Sequence, residues 1–277
     1  MKRTHQRILV VTPTLGESAF LDRAVASVAS QPLDRLHVLA APAPRVAALQ
    51  ARFPQTRVVP DAGRSGGIYG ALNAGLAAAG ADWDWFTYIN DDDALLPGFS
   101  SVFLHQVFAE FPESVVYGDV DLIDDHDRVI SQVTVERRPE WIPALLQQGI
   151  SPLMQQGMLF RRGLVRRLGG FDPRYRLCAD LDFWLRAYVA VAGFRHFPVR
   201  IAQFRLRGGQ LSGNTAETER EQAEIVRLQL PHRVSVPRRQ LARLRYRLCN
   251  LPRYVRRIRA RGLRTSYQLL ERGGVAG

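Results

Sequence analysis

The stretch that decides the fold is Trp85–Gly98, "WFTYINDDDALLPG". An apolar run containing Trp85, Phe86, Tyr88 and Ile89 stops at Asn90. Three carboxylates follow in a row, Asp91, Asp92 and Asp93, and the chain then turns apolar again. The run has the length and composition of a buried strand. Adjacent like charges at its end repel one another, so something must offset them. A capped turn is the bland account, since Asp is common in turns and at helix starts and Pro97–Gly98 is turn chemistry. A hard divalent cation, Mg²⁺ or Mn²⁺, is the functional account, because such ions take oxygen ligands and are completed by water and substrate phosphates. The spacing excludes an EF-hand loop.

Upstream, apolar strand patterns alternate with helical ones. "RILVVTPT" (7–14), "RLHVLAA" (35–41), "TRVVP" (56–60) and "DWFTYIN" (84–90) read as strands. Between them, "SAFLDRAVASVASQ" (18–31) places Phe20, Leu21, Ala24, Val25 and Val28 on one helical face. "APRVAALQARF" (43–53) and the Ala-rich run after Gly67 continue the alternation. This order predicts an α/β protein with a mostly parallel central sheet flanked by helices. In such sheets ligands bind beyond the carboxyl ends of the strands, where the three aspartates lie. Downstream the pattern changes. "SVVYGDVDLIDDHDRVISQVTV" (114–135) reads as two strands joined by a turn, "QGMLFRR" (156–162) as a strand, and "ADLDFWLRAYVAV" (179–191) and "TAETEREQAEIVRLQL" (215–230) as helices.

Three further stretches carry candidate chemistry. "SGGIYGALNAG" (65–75) is a Gly-rich loop running into a helix. It suits close backbone approach to a ligand, or close helix packing. It fits neither common nucleotide-loop pattern. "CADLDFWLR" (178–186) opens a helix with Asp180 and Asp182. Either acid can cap the helix, or one can serve as a general base. "FRLRGGQLSG" (204–213) offers Arg205 and Arg207 beside glycines and a serine, a composition that suits a diphosphate or an exposed turn equally.

The bulk composition sets the class. The chain has 277 residues, 46% apolar and 23% charged, as in soluble globular proteins. Cys178 and Cys249 suggest neither a zinc site nor a disulfide framework. The first apolar run, Ile8–Val11, is too short for a signal peptide, and no stretch approaches the roughly 18 apolar residues of a membrane span. The net charge of +12 is unevenly spread. Residues 231–277 hold 13 arginines and one acid, whereas the preceding 230 residues hold 25 basic and 25 acidic groups. A neutral body (1–230) with a basic tail (231–277) points to an anionic partner. In the tail, Leu241, Leu244 and Leu248 share a helical face among arginines, the pattern of a basic amphipathic helix at an anionic membrane surface. The alternative is nucleic-acid binding through the arginines.

Taken together and in order, "ILVVTPTLGESAFLDRAVASVASQ", "SGGIYGALNAGLAAAGADW", "YINDDDALLPG", "MLFRRGLVRRLGGFDPRYRLCADLDFWLR" and "RGGQLS" resemble the family 2 glycosyltransferases, with a GT-A nucleotide-diphospho-sugar transferase fold. The resemblance is to the bacterial polysaccharide-assembly branch and spans roughly residues 7–213. It implies that Thr12, Pro13 and Thr14 line the nucleotide pocket and that Gly67 to Asn73, including Ile68 and Tyr69, cover nucleotide and sugar. Asp91 and Asp92 would contact the nucleotide or the metal's water shell, and Asp93, with Asp92, would ligate Mn²⁺ or Mg²⁺. Arg205 and Arg207 would meet the diphosphate, and Asp180 would be the catalytic base of an inverting transfer. The implied partners are a nucleotide-diphosphate sugar, a saccharide or lipid-linked acceptor in envelope glycan synthesis, and the inner face of the cell membrane, which the tail would hold from the cytoplasm. Two departures stand out. "HVLAAPAP" lacks the acid usual after the second strand, and Gly70 replaces a usual carboxylate. A sugar-binding relative without activity is a further alternative.

Overall fold

The computed structural model describes residues 6–108, 114–133, 135–190, 193–207, 215–252 and 254–255. The amino-terminal half alternates as its sequence pattern requires. Strands β1 (Ile8–Pro13), β2 (Arg35–Pro42), β3 (Arg57–Asp61) and β4 (Trp85–Tyr88) are separated by helices α1 (Leu21–Ala29), α2 (Val46–Arg52) and α3 (Gly67–Ala78). β1 pairs in parallel with both β2 and β4, and β2 with β3. These strands read as continuous apolar runs because both faces are covered. In β1, Leu9 and Val11 join the core on the α3 side, while Ile8 and Val10 join the opposite core.

The remaining elements are β5 (Ala94–Leu95), α4 (Pro97–Phe108), β6 (Val115–Ile123), β7 (Val129–Gln132), α5 (Ile142–Leu146), β8 (Leu159–Arg161), α6 (Arg162–Leu168), α7 (Ala179–Ala190), β9 (Phe194–Arg205), α8 (Thr215–Gln229) and α9 (Val236–Cys249). The sheet runs β3-β2-β1-β4-β8-β6-β9-β5, with β7 on β6. Only its first half is uniformly parallel. β8 is antiparallel to both β4 and β6, β6 and β9 are parallel, and β5 returns antiparallel to β9. The expected hairpin around "DDHD" is present as β6–β7, with Asp127 at φ 63 in its turn. The 12-residue β9 is an element that the sequence pattern did not signal.

Helix α3 lies close on the sheet. A Cβ at Gly75 would stand 2.5 Å from Val11 Cγ1, so glycine sets that approach. The basic tail does not leave the body at once. α9 buries Ala242 and Tyr246 against Ala144 and Leu145 of α5, and Arg245 Nη1 lies 2.7 and 2.8 Å from the Glu136 carboxylate oxygens. Residues 256–277 lie outside the described residues.

Candidate active site

The carboxyl ends of β1 and β4 bring the first candidates together. Thr12 is fully buried, its Oγ1 lying 3.0 Å from His37 Nε2. Burial pushes that imidazole down to about 3, so it is neutral. Pro13 is buried beside it. Thr14 Oγ1 donates to Asp91 Oδ2 at 2.6 Å, and the Ser18 hydroxyl donates to the Asp91 carbonyl. Asp91 therefore ties the aspartate loop to the end of β1. Burial pushes its carboxyl up to about 6, against the pull of the Thr14 hydroxyl.

The three aspartates have unequal surroundings. Asp93 is 0% exposed. Its Oδ1 accepts the Arg205 backbone N–H at 2.9 Å, and its Oδ2 accepts the side-chain amides of Gln156 at 3.1 Å and Asn90 at 3.3 Å. Burial, reinforced by the charge of Asp92, holds its carboxyl well above the usual range. Asp93, expected from the resemblance as the leading metal ligand, is thus held by protein hydrogen bonds on both of its carboxylate oxygens. Asp92 is also buried, whereas Asp91 is half-buried; Asp92 Oδ2 accepts from Arg207 Nε at 2.9 Å. The side chain of Arg207 is 41% exposed, so this partner can be exchanged for a ligand. Arg205 is engaged with the protein itself. It is fully buried, with its guanidinium over the Phe20 ring at 3.9 Å. Its Nε donates to the Asp92 carbonyl at 2.9 Å, Nη1 to the Asp124 carbonyl at 2.5 Å, and Nη2 pairs with Asp127. Arg205 thereby locks the aspartate loop to the β6–β7 turn. Residues 208–213 of the Gly-rich stretch lie outside the described residues.

A divalent ion finds few protein ligands at this loop. No cluster of three His, Cys, Asp or Glu side chains able to hold a metal exists among the described residues. Asp92, whose partner Arg207 is partly exposed, fits an ion whose other ligands include water and substrate phosphate, a common arrangement for Mg²⁺.

Asp180 stands at the start of α7, facing α3. The Tyr69 hydroxyl lies 2.9 Å from both Asp180 Oδ1 and the Leu177 carbonyl. Asp180 Oδ1 also accepts the Leu181 N–H at 2.9 Å. Both contacts fall on Oδ1, leaving Oδ2 for a proton. Burial raises the carboxyl, while the Tyr69 hydroxyl and the Leu181 N–H pull it down. The approach to Asp180 is held from α8, where the Glu221 carboxylate accepts the backbone N–H groups of Arg176, Leu177 and Cys178 at 2.8–2.9 Å. Nothing in the acidic pattern of α8 distinguishes Glu221 from its neighbours. Asp182 is a structural acid, paired with Arg186 at 2.7 Å and accepting from Gln229.

The Gly-rich stretch divides in two. Gly66 and Gly67 are exposed at the start of α3, with Gly67 at φ 63, and Ile68 is half-buried behind them. Tyr69 is buried and stacks on Phe171 at 5.7 Å. Asn73 clasps the Phe171 backbone, its Nδ2 donating to the carbonyl at 2.8 Å and its Oδ1 accepting the N–H at 2.9 Å. Tyr69 and Asn73 thus join α3 to the segment before α7. Burial raises the Tyr88 hydroxyl far above its ordinary value, and the charges of Asp180 and Asp93 add to that rise.

The family model described as "Glycosyl transferase family 2" matches residues 9–169. The chain is 28% identical over 155 residues to a PGL/p-HBAD biosynthesis glycosyltransferase of Mycobacterium tuberculosis (strain ATCC 25618 / H37Rv). That alignment covers 55% of this chain and 56% of the relative, so the chain spans about half the length of the curated relatives it matches. Among solved structures, S. aureus TarS 1-349 in complex with UDP-GlcNAc superposes with a TM-score of 0.63 at 14% identity, covering 96% of this chain and 84% of that one. The mannosyltransferase PcManGT from Pyrobaculum calidifontis, in complex with GDP-Man and Mn²⁺, gives 0.60 at 14% identity, covering 98% and 80%. These structures share the fold alone. With the family model matched over more than half its length, the chain belongs to glycosyl transferase family 2 and has the GT-A fold.

Proposed function

We propose that the chain is a metal-dependent inverting glycosyltransferase that moves a sugar from a nucleoside-diphosphate donor to a hydroxyl of a saccharide or lipid-linked acceptor in envelope glycan synthesis. The observation that carries this reading is the Asp180 carboxylate, pinned at Oδ1 by Tyr69 and the Leu181 N–H with Oδ2 left available. Asp92 and Arg207 pair at the aspartate loop. A carboxylate held in one orientation near a leaving-group site is suited to general-base chemistry.

Asp180 Oδ2 takes the proton of the acceptor hydroxyl as that oxygen attacks the anomeric carbon. The bond from that carbon to the donor diphosphate breaks on the opposite face, and the configuration inverts. Arg207 exchanges Asp92 for diphosphate oxygens, a charge-assisted contact that strengthens as the leaving group gains charge. Asp92, with Asp93 beside it, would hold a divalent cation, which would supply Lewis-acid stabilisation of the leaving group. The mannosyltransferase that shares this fold carries GDP-Man together with Mn²⁺, which supports that choice. Thr14 and Asp91 fix the β1 end against the aspartate loop, and the exposed Gly66–Gly67 backbone offers the nucleotide and sugar a close approach. No described helix is long and apolar enough to cross a membrane. The exposed leucines of α9 support a peripheral seat on the cytoplasmic membrane face.

Exchanging Asp180 for Asn tests the reading. Transfer is abolished and Mn²⁺-dependent nucleotide-sugar binding, followed by thermal shift, persists. Unchanged turnover would sink the base assignment.

A further inference from the structure

A cavity of about 570 Å³ lies between α5, α7, α8 and the segment entering α9. Its lining includes the apolar side chains of Leu146 and Ile150 from the α5 end, Leu181 of α7 and Val226 of α8. The lining also includes Arg227 and Arg233, both exposed, the half-buried Arg239, and one acid, Glu219. Elsewhere buried or half-buried arginines sit on carboxylates, as Arg186 does on Asp182 and Arg245 on Glu136. The side chains of Arg227, Arg233 and Arg239 have no such partner among the described residues. The Arg239 Nε is buried and meets no acceptor at all.

The rim is built rather than loose. Gln147 Nε2 donates to the His232 carbonyl at 2.9 Å, and its Oε1 accepts the Val234 N–H at 2.9 Å. Gln148 Nε2 donates to the Arg239 carbonyl at 2.8 Å. Two glutamines thus staple residues 232–239 across the cavity and fix where the arginines begin.

Apolar side chains and unpaired guanidiniums lining one cavity select a ligand with an apolar and an anionic part. Guanidinium matches phosphate oxygens bidentately, and apolar contact supplies the rest. We propose that this cavity binds the phosphate-bearing end of an amphiphilic lipid, with the phosphate on Arg227, Arg233 and Arg239 and the first carbons of the chain against Leu146, Ile150, Leu181 and Val226. Arg239 stands on α9, which also exposes Leu241, Leu244 and Leu248, so one helix serves both the cavity and a lipid surface. Leu181 follows Asp180, so a lipid-phosphate-linked acceptor held here is anchored beside the helix that bears the base. That last link rests on the glycosyltransferase reading; lipid-phosphate binding does not.

The test titrates the full chain by calorimetry with farnesyl phosphate, farnesol, inorganic phosphate and dihexanoyl phosphatidic acid. Farnesyl phosphate binds, and farnesol and inorganic phosphate each bind at least tenfold more weakly, since each lacks one half of the contact. The double variant Arg227→Gln, Arg239→Gln loses roughly a hundredfold in affinity, as two charge-assisted contacts are removed. Thermal stabilisation by the nucleotide sugar stays unchanged in that variant, which shows that it folds. Preference for farnesyl phosphate over the phosphatidic acid assigns the cavity to a prenyl-phosphate acceptor, and equal binding assigns it to a membrane phospholipid. Inorganic phosphate binding as tightly as farnesyl phosphate, or an unaffected double variant, overturns the proposal. Asp180→Asn keeps farnesyl phosphate binding whether or not Asp180 is the base, so the two readings fail separately.

Discussion

Asp180 is set between two opposing influences, and each can be removed alone. Tyr69 donates to it from α3 and stabilises its ionised form, while the charge of Glu221 on α8 disfavours ionisation. Tyr88 and Cys178 are the other titratable groups near it, and burial keeps both neutral. A base must be ionised to act, so activity rises with pH through its pKa. Tyr69→Phe raises that pKa and moves the acid limb of kcat to higher pH. Glu221→Gln lowers it and moves the limb the other way, while Gln still accepts a backbone N–H. A pH profile of kcat for the two variants reads the opposite shifts, which a general loss of structure does not produce. The aspartate loop divides in the same manner. Asp93→Ala leaves the Arg205 N–H and two buried amides unpaired, and chemical denaturation should show a loss of about 2–4 kcal/mol. Asp92→Asn leaves stability within about 1 kcal/mol and removes metal-dependent donor binding. The sequence placed these carboxylates at a strand end but did not show what surrounds each. The groups that bury Asp93 come from Gln156 and Arg205, 63 and 112 positions away, and no local pattern carries that information.

Among the elements, the parallel half was legible because each strand is buried on both faces and each intervening helix shows one apolar stripe. β9 was not. It reads "FRHFPVRIAQFR", with Pro198 and several polar residues, and its pairing with β6 shifts register twice around Asp119. A strand that slips register does not keep a clean period of two. The Gly-rich stretch was read as a nucleotide cover, and its two halves turn out to differ: the exposed start remains available, and the helix beyond it is a packing element. Two glycines of α3 separate these roles by sign. A Cβ at Gly70 meets nothing within 4 Å, so Gly70→Ala should stabilise the fold by about 0.5–1 kcal/mol through helix propensity. Gly75→Ala forces a methyl against Val11 and should cost about 1–3 kcal/mol. Thermal unfolding of the pair gives shifts of opposite direction.

At the scale of the whole molecule, a neutral body carries a cationic end, and the structure fixes how that end begins. α9 spends Ala242, Tyr246 and Arg245 on the body, which turns Leu241, Leu244, Leu248 and Leu251 outward at 53–58% exposure. The flanking residues Arg238, Arg239, Arg243 and Arg247 add positive charge, and α9 contains no acid. Pairing this stripe with a second copy would bring like charges together, whereas an anionic bilayer accepts both leucines and arginines. The double variant Leu244→Ser, Leu248→Ser tests the surface without touching the docked face. Each buried leucine is worth about 1.5–3 kcal/mol, so binding to vesicles containing phosphatidylglycerol should fall by at least roughly a hundredfold. Its thermal stability should stay within about 0.5 kcal/mol of the parent, because both side chains face solvent. Raising salt should weaken the parent's binding to anionic vesicles, since the arginine contribution is screened. If the leucine variant keeps its vesicle affinity while duplex DNA binds the parent more tightly than vesicles do, the partner of the cationic end is nucleic acid and the membrane seat is wrong.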